Sequence, residues 1–175
     1  FNSFFVYLIN INYKSIQMKK IFFFLFISSS SVIIAQKSAG LMSQEDVLSK
    51  NIAKMHDAYE SANFNFWDQM ISPDAIIYLN NIKMDYKTMR PLFASHHTIF
   101  NNIKIEDRYQ HTNYFKEGEI WTNSWFTWIG TGNKTGIRYS NVAHLDWKWE
   151  KGKVIQMQFY FDPTGLNLET GNLIK

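Results

Sequence analysis

Cysteine is absent from all 175 residues, which excludes disulfides, thiolate catalysis and Cys-based zinc sites. There is no Gly-rich phosphate loop, no Gly-x-Ser-x-Gly elbow and no nucleophile beside a base in sequence, so the local signatures of phosphate binding and serine hydrolysis are missing. No two of the five histidines stand at the i, i+2 or i, i+4 spacing of a local ligand cluster, and neither a metal nor another cofactor is expected. Runs of like charge, repeats and low-complexity segments are also missing after residue 35.

The first 35 residues differ in kind from the rest. Met18-Lys19-Lys20 precedes an apolar run from Ile21 to Ile27, then four serines and Val32-Ile33-Ile34-Ala35, which make a basic n-region, an apolar h-region and a small residue to cut after. The expectation is a signal peptide over 18–35 and an exported protein, periplasmic or secreted, with no membrane span after processing. Ile33 is less favourable than a small residue at its position. A membrane anchor is the alternative, but the run is shorter than the ~20 residues that a span needs. Residues 1–17 are read as upstream sequence and 36–175 as one domain, large enough to bury roughly two thirds of its unfolded surface. Three of the 18 basic residues lie in the leader and none of the 15 acidic ones, so the domain is formally neutral. The basic pI is therefore no sign of nucleic acid, and no such partner is expected.

Hydrophobic periodicity orders the elements of the domain. After a polar leader over 36–42, Ser43 with Asp46 resembles a capping box and predicts a helix start. Leu48, Ile52, Met55, Tyr59 and Ala62 then form a core-facing stripe with His56 on its edge. A short second helix is predicted over 63–71, stopped by Ser72-Pro73-Asp74, followed by a short strand over 75–79 and a turn at Asn80-Asn81. From Asp85 a helix is predicted to about His97, with Pro91 either kinking it or marking its true first turn. His96 and His97, about 100° apart on a helix, read as its solvated end.

Residues 103–115 and 119–129 read as two long strands joined at Lys116-Glu117-Gly118. The stretch 137–162 organises the rest. Its odd positions Ala143, Leu145, Trp147 and Trp149 alternate with Val142, His144, Asp146 and Lys148, the period of a strand. Met157, Phe159 and Phe161 alternate likewise with Gln156, Gln158 and Tyr160, and the polar link Glu150-Lys151-Gly152-Lys153 suits an antiparallel hairpin. Two helices, a short strand, a third helix and a four-strand meander predict an α+β fold, in which a curved antiparallel sheet packs on three N-terminal helices and encloses a pocket.

This order, with Gly152-Lys153-Val154 leading into Met157-Gln158-Phe159-Tyr160-Phe161, resembles the nuclear transport factor two-like superfamily, in particular its SnoaL-like and ketosteroid isomerase branch, over residues 43–165. Asp74-Ala75 before an aliphatic pair is a weaker match. The resemblance implies a cone-shaped barrel, usually dimeric, with an apolar cavity. It implies no single reaction, since the fold hosts isomerases, cyclases, dehydratases and inert binders. Ketosteroid isomerisation needs a carboxylate base with a tyrosine and a protonated acid as oxyanion donors. At the matching positions stand Leu79 for the base, Met55 or His56 for the tyrosine and His144 for the acid, so that mechanism does not carry over.

By the register that the resemblance implies, Ser140, Val142 and His144 point into the cavity beside Met157, Phe159 and Phe161. His144 is then the candidate acid or base, with Asp146 on its face and His56 opposite it on the first helix. Tyr78 and Asn80, near the lost base, are candidate polar contacts; with Ser140, Met157, Phe159 and Phe161 they complete the expected binding site. Asp162 either caps the turn at Pro163 or reaches the mouth. Trp121, Trp125 and Trp128 stack on a planar ligand or pack in the core. Tyr139, Leu145, Trp147 and Trp149 would then face outward and call for a homodimer. The expected partner is a small, largely apolar ligand or substrate. The function is a cofactor-free isomerase, cyclase or lyase, or else a non-catalytic binding or accessory interaction domain.

Overall fold

The computed structural model describes residues 39–171, so the expectations for residues 1–35 lie outside the described residues. The elements are β1 (Gly40–Ser43), α1 (Val47–Glu60), α2 (Asn65–Met70), β2 (Ile71–Leu79), β3 (Ile82–Asp85), α3 (Tyr86–Ile99), β4 (Phe100–Phe115), β5 (Ile120–Gly132), β6 (Arg138–Glu150), β7 (Lys153–Tyr160) and α4 (Thr164–Thr170). The strands make one sheet in the order β1-β4-β5-β6-β7-β2-β3, antiparallel except where β2 runs parallel to β7. The fold is the α+β cone expected, with helices on the concave face of a curved sheet. It has three elements that periodicity did not show: β1, β3 and α4.

Asp46, not Ser43, caps α1, its carboxylate accepting from the Leu48 and Ser49 amides at 2.8 and 3.0 Å. Ser43 ends β1 and pairs with Thr112. The helix buries Ser49, Ile52, Met55, His56 and Tyr59, a wider stripe than the apolar residues alone define. In α2 the Trp67 indole donates to the Met55 carbonyl at 2.7 Å and ties the two helices together. Ser72-Pro73-Asp74 lies in a strand, and its proline falls where the β2–β7 pairing breaks between Ile71 and Ile76, the place where a missing ladder donor costs least. Asp85 caps α3 through the Thr88 amide at 2.8 Å, and Pro91 sits inside that helix.

Three bulges shape the sheet. In β4 the pairing with β5 slips after Asn101 and again after Glu106, where Asn102 and Asp107 take left-handed φ of 52° and 51°; extra residues on one strand bend it and increase its twist. The third bulge decides the site. Lys151 and Gly152, with φ of 49° and 74°, form a two-residue hairpin turn and set Glu150 opposite Lys153 and Trp149 opposite Val154, but Lys148 then faces Gln156 and Trp147 faces Met157. Ile155 is thus an extra residue, and one residue of slip moves every side chain beyond it to the other face.

Without that bulge His144 would pair with Phe159 and share its face. With it, Leu145 pairs with Phe159. Leu145, Trp147 and Trp149 therefore point inward and are buried, and the half-buried Tyr139 packs its ring on Phe100, while Ser140, Val142 and His144 face outward. The expectation for both rows is reversed.

The narrow end of the cone carries buried indoles on a directed chain of hydroxyls. Trp149 Nε1 donates to Thr122 at 2.8 Å, Thr122 bonds to Thr112 at 2.8 Å, Thr112 to Ser49 at 2.9 Å, and Ser49 donates to Asp46 at 2.9 Å. An indole only donates and an ionised carboxylate only accepts, so every hydroxyl between them accepts from one side and donates to the other. The same end holds Trp147, whose indole donates to Ser124 at 3.2 Å.

Candidate functional site

The wide end of the cone is a cavity with ≈ 710 Å³ of empty space, its open mouth included, and ≈ 60 Å³ of free interior. Every layer contributes to its wall. The helices supply His56 and Tyr59 from α1, Trp67 from α2, and Phe93 and His96 from α3. Phe126 and Trp128 of β5, Ala143 and Leu145 of β6 and Phe159 of β7 form the sheet side, with Phe161 beyond it. Asn141, Asp162, Gly165 and Leu166 border the side that α4 covers. The wall is almost wholly apolar, so a polar group on it has little to compete with and much to lose by going unpaired.

His56 is such a group. It is 3% exposed, meets the Phe126 ring edge-on at 4.8 Å, and neither ring nitrogen finds a partner among the described residues. Burial, reinforced by the Arg108 guanidinium, pulls its pKa down to about 3, so the ring is neutral at ordinary pH and has both a free lone pair and a free N–H. Arg108 is itself held against α1 by Asp57 and Glu60.

A second imidazole stands on the same wall. His96 stacks on Phe93 at 5.3 Å, and its Nδ1 lies 2.8 Å from the Tyr59 hydroxyl, which also accepts from Trp128 Nε1 at 3.0 Å. Burial, then the charge of His97, lowers the His96 pKa to about 4, and burial raises that of Tyr59 against the opposing hydrogen bond from Trp128. His97 packs on Tyr59 at 5.3 Å. The pair is no solvated helix end. Both histidines continue the buried stripe Tyr86, Met89 and Phe93 of α3, a spacing visible in the sequence once the helix is run on to Ile99.

Of the residues expected at the site, His56, Phe159 and Phe161 lie on the cavity wall. Met157 is buried deeper in the core. Asn80 clamps the Phe161 backbone, donating to its carbonyl and accepting from its amide, both at 3.1 Å. Tyr78 pairs with Gln158 on the outer face, and Ser140 is exposed there. His144 stands on that outer face, donating to Asp146 at 2.7 Å and packed on Trp125 at 4.5 Å. The bond to Asp146 spans two residues of one strand, and Asn123 braces the same carboxylate.

One side of the mouth is bordered by α4. Asp162 accepts from the Thr164 amide at 2.9 Å and hydroxyl at 2.6 Å, which holds its carboxyl below the usual range. Gly165 sits so close to the Tyr139 ring that a Cβ there would lie 2.7 Å from it. Glu169 fastens the other end of the helix to the β5–β6 loop, accepting from the Lys134 and Thr135 amides at 2.9 and 3.3 Å, from the Tyr139 hydroxyl at 2.8 Å and from the Thr135 hydroxyl. Burial would raise its pKa, but these bonds outweigh it and hold the carboxyl low.

By sequence the chain matches no protein-family model and no curated protein. By structure it is similar to AclR of Streptomyces galilaeus, a proposed hydroxylase, at TM-score 0.56 and 17% identity over 72% of this chain and 96% of that one. It is similar also to IdmH of Streptomyces antibioticus, a proposed polyketide cyclase, at TM-score 0.54 and 15% identity over 72% and 99%. A proposed polyketide cyclase of Silicibacter gives TM-score 0.57 and 15% identity over 74% and 97%. The fold is nuclear transport factor two-like. In this cone no three His, Asp or Glu side chains converge among the described residues in a way that could hold a metal ion, and no helix among them is long and apolar enough to cross a membrane. The acid–base groups that α1 and α3 bring to the cavity wall are imidazoles and a phenol, and the one carboxylate among the described lining residues is that of Asp162, on the side that α4 covers.

Proposed function

We propose that this protein binds a small, largely apolar molecule in the cone and performs cofactor-free acid–base chemistry on it, as an isomerase, cyclase or lyase, with His56 as the base. The observation that carries this reading is the buried His56 ring with both nitrogens unpartnered on an apolar wall. Leaving two polar atoms unpaired is costly, and such a cost persists in a fold when a ligand or reaction uses the group. Burial keeps the ring neutral, so its lone pair is available to a substrate proton, while the same burial and the Arg108 charge penalise the imidazolium that forms and call for an anionic enolate beside it. Cyclases among the proteins that share the fold agree with this reading.

The test is proton exchange. Small apolar ketones incubated with the protein in D2O should exchange α-hydrogens, followed by NMR, at a rate that falls by ~100-fold or more in His56→Leu. A rate equal in wild type and variant, across ketones shown to bind, would leave the binding reading in its place. One observation favours that second reading: the aromatic walls leave only ≈ 60 Å³ of free interior.

Two further properties belong to the proposal. The outer face of the sheet exposes Tyr109, Phe115, Val142 and Tyr160, an apolar row that supports a homodimer through this face. The leader with its Lys-Lys start and apolar run supports export; the intact mass of protein recovered outside the cytoplasm tests it, and a full-length form held in membranes would refute it.

A further inference from the structure

We infer that Trp128 and Tyr59 are positioning residues that fix His96 as the tautomer protonated on Nε2, so that His96 donates a neutral hydrogen bond to the substrate oxygen while His56 takes the proton. The inference rests on the acid–base reading of the cavity and assigns the second role in it.

The tautomer follows from donors and acceptors. The Trp128 indole can only donate, and its partner at 3.0 Å is the Tyr59 oxygen. The single hydroxyl hydrogen of Tyr59 then has one acceptor within reach among the described residues, His96 Nδ1 at 2.8 Å. Were Nδ1 protonated, it and the indole would both donate to the phenol oxygen, and the buried hydroxyl hydrogen would have no acceptor, an arrangement that folded proteins avoid. Nδ1 therefore accepts. A neutral ring then carries its hydrogen on Nε2, which has no protein acceptor among the described residues and belongs to a ring on the cavity wall. Stacking on Phe93 at 5.3 Å holds the ring plane.

The chemistry balances without a co-reactant. A substrate C–H adjacent to a carbonyl breaks, the proton goes to a His56 ring nitrogen, and the electron pair moves onto the carbonyl oxygen. That oxygen accepts from His96 Nε2–H, which stays bound to nitrogen; a neutral imidazole serves here as electrophile, as it does in other enolising enzymes. His56 returns its proton to a different carbon in an isomerisation, or to a departing group in an elimination.

The experiment is long-range 1H–15N correlation NMR of the histidine rings at pH 7, with His96 assigned from the signal lost in His96→Gln. His96 should show a pyridine-type Nδ1 and a pyrrole-type Nε2 in the wild type, and a mixture of tautomers in Tyr59→Phe. Trp128→Phe, which keeps the ring but loses the indole donor, should shift the same signals and serves if Tyr59→Phe does not fold. In the exchange assay Tyr59→Phe should lower kcat by about tenfold with little change in KM. A pyrrole-type Nδ1 or a charged ring in the wild type overturns the inference, as does a tautomer indifferent to Tyr59→Phe. The expected NMR tautomer without any turnover in the wild type would instead remove the acid–base reading and the donor role with it, leaving the hydrogen-bond chain as structure only.

Discussion

Replacing His56 by leucine removes a buried imidazole and leaves an apolar side chain of similar reach in its place. Two terms set the outcome. At pH 8 both the wild-type ring and its unfolded counterpart are neutral, and the variant sheds one unpaired donor and one unpaired acceptor, each worth about 1–3 kcal/mol when buried; imperfect packing of the new side chain gives back as much as ~1.5 kcal/mol. The variant should therefore be as stable as the wild type or more so. The second term depends on pH. The folded ring has a pKa of about 3 against 6.5 for a free one, so below pH 6.5 the unfolded chain binds a proton that the folded chain refuses. Wild-type stability falls as pH falls through this window and stops falling near pH 3, where the folded ring is charged as well. At pH 5 the loss is roughly 2 kcal/mol relative to pH 8. His96, His97 and His111, whose pKa values burial also lowers, add to the acid sensitivity of both proteins and cancel in the comparison. Urea unfolding followed by tryptophan fluorescence at pH 8, 7, 6 and 5 should show the gap between variant and wild type widening by roughly 2 kcal/mol. A gap independent of pH, or a variant clearly less stable at pH 8, would mean that the imidazole is paired or solvated, and would remove the basis for treating it as a base.

Thr122→Val leaves the Trp149 indole without its acceptor and should cost about 1–3 kcal/mol in urea unfolding, most of it recovered by Thr122→Ser; an unchanged midpoint would refute the hydroxyl chain. Gly132→Ala puts a Cβ 2.1 Å from the Glu169 carboxylate and should push it off Thr135 and Tyr139, raising hydrogen exchange in α4, and unaltered protection of residues 164–170 would refute the fastening role of Glu169. For the dimer, sizing with light scattering should give twice the chain mass for the wild type and a single mass for Val142→Glu with Tyr160→Glu; a monomeric wild type at micromolar concentration would refute it.

Much of the fold was legible because apolar periodicity reports which side of an element is buried, and that depends only on local geometry. The stripe of α1, the long strands and the turn at Lys151-Gly152 all fall within a few residues of where the pattern puts them. The alternation of Leu145, Trp147 and Trp149 with Asp146, Lys148 and Glu150 marked β6 as a strand, although the sequence reading set these odd positions on the outer face. The inferred register of the hairpin put them there. Val154 and Ile155 are both apolar, so nothing local shows which of them is the extra residue, and a count back from Gly152 that ignores the bulge turns His144 into a cavity residue.

By itself, then, the sequence determined the class of the fold, the hairpin and the buried stripe of α1, since these follow from side-chain spacing along one element. Which polar groups meet was decided only by the tertiary structure. Tyr59, His96 and Trp128 come from α1, α3 and β5, separated by up to 69 positions, and their hydrogen bonds exist because sheet curvature and helix packing bring three elements to one point. The single slip at Ile155 is likewise a feature of the β6–β7 pairing, and it moved the candidate chemistry from His144 to the wall that His56 shares with His96.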